Sequence, residues 1–190
     1  MTAPLILGFD TSAAHCAAAL VQGPDLRATG GEEMARGQAE RLMGMLEEVL
    51  AEASVGWGDL SALAVGIGPG NFTGIRIGVS AARGLALGLG VPAYGINGFD
   101  ARARTAREGT RIMIPAPRDM AYVLQDGAPA LLPIQDIAHP APQPSASDLA
   151  QSIALAALAR WPAATSAPVP LYIKAPDAAP ARDAPPVLLP

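Results

Sequence analysis

Apolar residues at the start of the chain occur in short runs that polar residues interrupt. The first run, LILGF, ends at Asp10, Thr11 and Ser12, and the next two, HCAAALVQ and RATGGEEM, flank a Gly-Pro-Asp turn at residues 23–25. Short apolar runs bounded by Gly, Pro, Asp and Ser are typical of β-strands. We therefore predict a meander of three strands.

From Gln38 the apolar spacing becomes that of an amphipathic helix, which we predict over residues 38–53. Acidic residues and Arg41 occupy one side of a helical wheel, and apolar residues occupy the other. The apolar stripe spans roughly 160°, which is more than contact with one sheet requires. We therefore expect part of the stripe to face a second surface. Its members are Leu42, Met43, Met45, Leu46, Val49, Leu50 and Ala53.

The following segments alternate between strand and helix patterns. LSALAVGIG is typical of a buried strand, the spacing predicts a helix over 73–89, VPAYGI is typical of another strand, and FDARARTAREG predicts a short helix. A meander followed by alternating helices and strands predicts an α/β domain with a mixed sheet.

The predicted helix over 73–89 has two non-polar faces, with Arg76 and Arg83 on the remaining surface. Glycine costs about 1 kcal/mol in a helix interior, so its repeated use needs compensation from close contact. We expect the sheet on one side and a second helix on the other, either the helix at 38–53 or a helix of another chain. The apolar face is Ile75, Val79, Ala82, Ala86 and Leu89, and the face of small residues is Gly74, Gly78, Ala81, Gly84 and Gly88.

The loop before this helix, within GIGPGNFTGIRIG, invites comparison with phosphate-binding loops. It lacks the Gly-Lys-Ser/Thr ending of a P-loop, and the dinucleotide pattern from Gly66 would need glycine at Asn71. The loop is therefore interpreted as a tight turn that leads into a helix, with Asn71 or Thr73 as the capping residue.

Few other residues suggest a catalytic or metal-binding role. The carboxylate of Asp10 could meet a metal-bound phosphate, but Asp and Ser also occur in turns for local hydrogen bonds. His15 and His139 lie far apart without metal-ligand spacing, and the chain has neither paired cysteines nor a Gly-x-Ser-x-Gly elbow. We interpret Cys16 as a small buried hydrophobe. These patterns favour a binding or scaffold protein with an enzyme-like fold.

Composition narrows the function classes further. The net charge is −4 and the only lysine is Lys174, which argues against a self-sufficient nucleic-acid surface. Hydrophobic residues make up 51% of the chain and aromatic residues 4%, so we expect small residues to pack closely in the core. Because the start has no basic leader and no apolar run reaches about 18 residues, we expect a cytoplasmic protein that does not bind membranes.

Proline becomes frequent after Arg111, which indicates a change in organisation. We predict a first lobe over 1–105, a shortened second lobe over 106–175 and an extended proline-rich tail over 176–190. Strands are predicted at RIMIP, AYVLQDG and VPLYIK, and a helix over SDLAQSIALAALAR. Ser147 is the predicted cap of that helix, and its packing residues are Leu149, Ile153 and Ala156 or Ala157.

Two segments, ILGFDTS and GIGPGNFTGIRIGVSAARGLALGLGVPAYGI, together resemble the bacterial TsaB (YeaZ) proteins. That family has a D-T-S/A turn after the first strand and the motif G-x-G-P-G-S-F/Y-T-G-x-R-x-G. Asn71 stands where the family usually has Ser, and PLYIKAPDA is similar to a late family segment. IPAPRDMAY occupies the place of I-D-A-R-x-x-E-V-Y, so Pro115, Pro117 and Met120 replace Asp, Arg and Glu.

The resemblance implies an actin/Hsp70/sugar-kinase-like (ASKHA) fold: a mixed sheet with flanking helices in two lobes, the second one reduced. It also implies a non-catalytic subunit in the synthesis of N6-threonylcarbamoyladenosine beside the anticodon of tRNAs that read codons beginning with A. The implied partners are a TsaD-like catalytic subunit and a TsaE-like ATPase, with tRNA reached through the complex and self-association of the free chain by the same surface. No resident cofactor is expected, apart from residual ATP or ADP at a subunit interface.

The family pairs through its first two helices, so the resemblance assigns a partner interface to those helices of this chain. Its residues are Leu42, Met45, Leu46, Val49, Gly74, Gly78, Ala81, Gly84, Leu85 and Gly88. Candidates for residual nucleotide contact are Asp10, Thr11, Gly68 and Gly70. The alternatives are a stand-alone ATP-dependent phosphotransferase or ATPase, with Asp10 holding the metal, and a peptidase, for which the sequence shows no set of nucleophile, base and orienting residue.

Overall fold

The computed structural model describes residues 3–163 and 165–173, so the predicted tail over 176–190 lies outside the described residues. The strands are β1 Leu5–Asp10, β2 His15–Gln22, β3 Asp25–Glu33, β4 Ala62–Gly66, β5 Ala93–Ile96, β6 Met113–Ala116, β7 Met120–Gln125 and β8 Ala128–Pro133. The α-helices are α1 Gln38–Glu52, α2 Phe72–Leu89, α3 Gly98–Ala103 and α4 Ala146–Leu158.

The first sheet has five strands in the order β3-β2-β1-β4-β5. Its first three strands form the predicted antiparallel meander, while β4 lies parallel to both β1 and β5. The mixed sheet and the alternation of helices and strands are therefore confirmed. The order also brings the ends of β1 and β4 side by side, with the turn after β1 next to the glycine loop after β4.

Helices cover both faces of this sheet. Helices α1 and α2 pack on one face, and α4 packs on the other across β1 and β2. The approach of α4 depends on Gly8, because a Cβ there would lie 2.7 Å from the Ala154 nitrogen and 2.8 Å from the Ala150 oxygen. Close packing through small residues, expected from the composition, is confirmed at this contact.

A second sheet of three antiparallel strands, in the order β6-β7-β8, follows the first. Strands β7 and β8 join through Asp126 and Gly127, whose φ angles of 52° and 80° suit a tight hairpin turn. One face of this sheet packs on its own small core around Ala121, Val123 and Ile137. Strand β8 was not predicted, because Pro129 and Pro133 interrupt its pattern.

Two other predictions about the second half, the cap of α4 and the strand VPLYIK, need correction, and the predicted bounds of the lobes stay a prediction. Ser145, rather than Ser147, caps α4, because its Oγ accepts a 3.1 Å hydrogen bond from the Asp148 nitrogen. Helix α4 falls within the range 106–175 that we predicted as the second lobe, but its core contacts are with the first sheet. Residues 169–173, the described part of the predicted strand VPLYIK, belong to no strand. Among the residues described, no helix is long and apolar enough to cross a membrane.

Candidate functional site

The carboxylate of Asp10 lies at the end of β1 and is 1% exposed. It accepts hydrogen bonds from the backbone nitrogen of Ser12 at 3.2 Å and from Ser12 Oγ at 2.9 Å. His15 Nε2, from the start of β2, lies 2.6 Å from the same carboxylate oxygen. One oxygen of the Asp10 carboxylate therefore ties the turn after β1 to β2.

The proximity of Ser12, His15 and Asp10 does not make a hydrolase triad. In a triad the hydroxyl donates to the imidazole and the carboxylate orients that imidazole from its other side. Here both Ser12 Oγ and His15 Nε2 contact one oxygen of Asp10. The arrangement stabilises the turn after β1. The Ser12 hydroxyl donates to the carboxylate and not to an imidazole that could activate it.

The glycine loop packs closely against this turn. A Cβ on Gly70 would overlap the carbonyl oxygen of Ser12. Gly68 has a φ of 97°, and a Cβ there would lie 2.6 Å from Ile75 Cδ1 and 3.0 Å from the Leu171 oxygen. These glycines therefore allow segments of the same chain to approach each other closely.

The beginning of α2 is bound to the same turn. Asn71 caps the helix, because its Oδ1 accepts a 2.8 Å hydrogen bond from the Gly74 nitrogen, and its own nitrogen donates to the Ser12 oxygen at 2.6 Å. Thr11 Oγ1 donates to the Gly74 oxygen at 2.7 Å. The capping role predicted for Asn71 is confirmed. The nucleotide candidates Asp10, Thr11, Gly68 and Gly70 do come together, but they contact one another and neighbouring protein groups.

Residues 165–173 cross the outside of the glycine loop. The Leu171 nitrogen donates to the Ile67 oxygen at 2.8 Å, and Arg76 Nε donates to Tyr172 Oη at 2.9 Å. The Arg76 guanidinium also lies 3.9 Å from the centroid of the Phe72 ring. The chain after α4 thus fixes the N-terminal end of α2 from outside.

The structure buries the side chains of the predicted partner interface on α1, and their role in pairing stays a prediction. The predicted α1 residues are at most 2% exposed, because they fill the core between α1, α2 and the first sheet. The wide stripe is therefore used within the chain, and its most exposed large side chain is Met43, at 40%. The buried residues are Leu42, Met45, Leu46 and Val49.

On α2 the predicted face of small residues divides in two. A Cβ on Gly74 would overlap the Thr11 oxygen, and one on Gly78 would lie 2.8 Å from Thr11 Oγ1. These two glycines face the turn after β1 and are not available to another chain. Gly84 and Gly88 are exposed, and nothing lies within 4 Å of a Cβ built on either.

The solvent side of α2 carries a continuous uncharged strip, which we term the outer face of α2. Leu87 is 87% exposed in this strip and was not among the predicted interface residues. On a helical wheel Leu87 lies between Gly84 and Arg83, and this position could have indicated that Leu87 belongs to the exposed strip. The outer face comprises Thr73, Ile77, Ser80, Ala81, Gly84, Leu87 and Gly88, and the half-buried Leu85 borders it.

The described residues argue against a metal site and against a reactive thiol. Within residues 3–163 and 165–173, no three His, Cys, Asp or Glu side chains could together hold a metal ion. Cys16 is fully buried, as predicted, and burial raises the pKa of its thiol to about 11. A thiol with so high a pKa is a poor nucleophile at neutral pH.

Comparison with known proteins gives consistent matches. The family model described as TsaD, tRNA N6-adenosine threonylcarbamoyltransferase, matches residues 25–162. An uncharacterized protein of Mycobacterium tuberculosis is 31% identical over 92% of this chain and 94% of its own length. The tRNA threonylcarbamoyladenosine biosynthesis protein TsaB of Haemophilus influenzae is 38% identical over 54% of this chain and 43% of that protein.

Among solved structures, YeaZ from Pseudomonas aeruginosa is similar with a TM-score of 0.68 and 27% identity. The match covers 90% of this chain and 100% of the YeaZ chain. The similarity confirms the fold class that the two sequence segments implied.

Proposed function

The chain belongs to the TsaB/YeaZ family, and we propose that it is a non-catalytic subunit in the synthesis of N6-threonylcarbamoyladenosine on tRNA. Its role in this proposal is to bind and activate a TsaD-type transferase. The outer face of α2 is the observation that carries the proposal, because it is an exposed, uncharged helix surface.

The choice of a TsaD-type partner rests on similarity between the two proteins. The family model that matches residues 25–162 carries the name of the transferase itself, so this chain and the transferase share a related fold. Related folds can pair through corresponding surfaces around an approximate two-fold axis, as homodimers do. The same face then accounts for self-association of the free chain.

Close helix contact explains the composition of the outer face. Gly84 and Gly88 lie one turn apart with open space beside them, so a partner helix can approach the α2 backbone. Leu87 is 87% exposed and supplies apolar area to bury on association. Arg76 and Arg83 border the strip and provide a polar rim.

The contacts around the glycine loop support a subunit without catalytic groups. Asp10 accepts hydrogen bonds from Ser12 and lies against His15, while Gly70 packs on the Ser12 backbone, so these groups make contacts within the chain. In this proposal the transferase supplies the catalytic groups and a TsaE-type ATPase joins the assembly. Any residual nucleotide lies between subunits, and tRNA is held by the complex.

Binding of this chain to the TsaD-type transferase of the same organism tests the proposal. Titration of one purified protein into the other, with light scattering to measure the mass of the complex, is expected to give a saturable 1:1 complex. A matched titration of the isolated chain with Mg-ATP is expected to give neither saturable binding nor hydrolysis. Absence of the complex, or ATP turnover by the chain alone, would refute the proposal.

A further inference from the structure

A cleft of about 890 Å³ lies between the first sheet and the second sheet, away from the outer face of α2. Residues of the turn after β1 and of the glycine loop line one side, and residues of β6, β7 and β8 line the other. Leu171 and Tyr172 close part of the rim. The volume falls in the range of small-molecule sites, which are mostly apolar with a few convergent polar groups.

The wall formed by the second sheet is apolar. Ile114, Tyr122 and Leu131 line the cleft and are direct cross-strand neighbours, so they form one continuous row. Pro115, Pro117 and Met120 also line the cleft. These last three stand where the resemblance places Asp, Arg and Glu, so this chain has lost charge at the wall.

Arg102 is a charged residue that lines the same cleft. Its Nη1 donates to the Gly98 oxygen at 3.2 Å, and its Nε donates to Gln143 Oε1 at 3.3 Å. Among the described residues, Nη2 makes no hydrogen bond and Arg102 joins no ion pair, while no buried side-chain nitrogen lacks a partner. Nη2 is therefore not fully buried, and Arg102 is among the residues that line the cleft.

Within residues 3–163 and 165–173, no carboxylate forms an ion pair with the Arg102 guanidinium. Burial lowers its pKa, and the charge of Asp10, which contacts Ser12 and His15, raises it to a smaller extent. A cation that is partly removed from water without a partner is costly, so an anion that reached it would be bound favourably. Glu33 and Arg118 also line the cleft, and both are exposed with opposite charges.

We propose that this cleft binds a small organic carboxylate with an apolar body. The carboxylate pairs with the planar guanidinium of Arg102, for which its geometry is suited, and the apolar body lies along the row formed by Ile114, Tyr122 and Leu131. A polyphosphate is disfavoured because the described residues that line the cleft include no lysine and the glycine loop is packed against protein. The inference is independent of the proposed pairing with a transferase.

Calorimetric titration of the full chain with sodium octanoate tests this site. Octanoate is expected to bind saturably at one site, and octylamine at least about tenfold more weakly because its head has the wrong charge. Arg102→Met is expected to weaken octanoate binding at least about tenfold, while Arg107→Met, at an exposed position outside the cleft, leaves it unchanged. Leu131→Asp, at a position 40% exposed on the wall, is expected to weaken binding without unfolding the chain.

The following outcomes would contradict the proposal. Failure of octanoate to saturate, or equal binding by wild type, Arg102→Met and Leu131→Asp, would show that the cleft is not this site. Tighter binding of octyl phosphate would assign a phosphate head, and competition between octanoate and Mg-ATP would assign a nucleotide. Circular dichroism of each variant distinguishes lost binding from lost folding, and Leu131→Asp keeps the test decisive if Arg102→Met does not fold.

Discussion

A Cβ on Gly74 would overlap the carbonyl oxygen of Thr11, and Thr11 Oγ1 in turn donates a 2.7 Å hydrogen bond to the Gly74 oxygen. The first turn of α2 and the turn after β1 are therefore in direct backbone contact. This contact explains glycine at a site inside a helix, where it would otherwise cost stability. The glycine-rich stretch GIGPGNFTGIRIG therefore mediates contact between two segments of the same chain.

Alanine substitutions at two glycines of α2 are predicted to have opposite effects on stability. Gly74→Ala is expected to lower the free energy of unfolding by about 2–3 kcal/mol, because the methyl group collides with the Thr11 backbone. Gly84→Ala is expected to raise it by about 0.5–1 kcal/mol, because its methyl group enters open space and alanine favours the helix. Urea unfolding of both variants measures the difference, and effects of the same sign would contradict the packing described.

Asp10 is predicted to contribute to stability. Asp10→Asn is expected to lower the free energy of unfolding by about 1–3 kcal/mol, because an amide cannot accept all the donors that the carboxylate faces. Asp126→Asn is a matched control, since asparagine tolerates the left-handed conformation at this turn residue (φ 52°). Chemical denaturation compares the two variants. A metal-binding Asp10 would instead leave stability unchanged and abolish an activity.

Cys16 is predicted to make the protein less stable at alkaline pH. Burial raises the pKa of its thiol from 9.0 to about 11, so the folded state holds this proton where the unfolded state releases it. The contribution is fully present below pH 9 and is lost as the pH rises towards 11. Between pH 8 and 10.5, wild type is expected to lose on the order of 1–2 kcal/mol more than Cys16→Ala. Equal losses, measured by urea unfolding, would mean that the thiol ionises equally in both states.

Charge placed on the outer face of α2 is predicted to block pairing with the transferase. Gly84→Glu and Leu87→Glu are expected to weaken the complex at least about tenfold each, because they bury an unpaired charge at the contact. Leu124→Glu changes a leucine that is 42% exposed on β7 and is expected to have no effect. Titration calorimetry with the transferase measures all three affinities. Wild-type affinity in the Gly84→Glu variant would place the contact elsewhere.

The local patterns predicted much of the fold. Turn residues marked the meander, and periodicity marked α1 and α2 with ends within one residue of those observed. Asn71 was recognised as a candidate cap because its side chain suits that role. Strand β8 was missed because its prolines outweighed the Asp126-Gly127 turn signal. These successes and the miss all depend on residues that are close together in sequence.

Long-range packing was harder to predict. The apolar stripe of α1 appeared too wide for one sheet, but Leu42 and Val49 fill a space that α2 and the sheet share. Helix α4 lies after the second sheet in sequence, yet its alanines pack on Gly8 of β1. No role was predicted for Arg102, because its hydrogen bonds to Gly98 and Gln143 depend on contacts that only the folded chain defines. A helical wheel gives a residue's direction but does not show which neighbour it meets.

Reconstitution of tRNA modification is the most direct test of the central proposal. The TsaD-type transferase, the TsaE-type ATPase and their substrates are incubated with unmodified tRNA, with or without this chain, and N6-threonylcarbamoyladenosine is quantified by mass spectrometry of the nucleosides. The proposal predicts at least about tenfold more product with the wild-type chain than without it or with Gly84→Glu. Equal product with and without the chain would contradict the proposal.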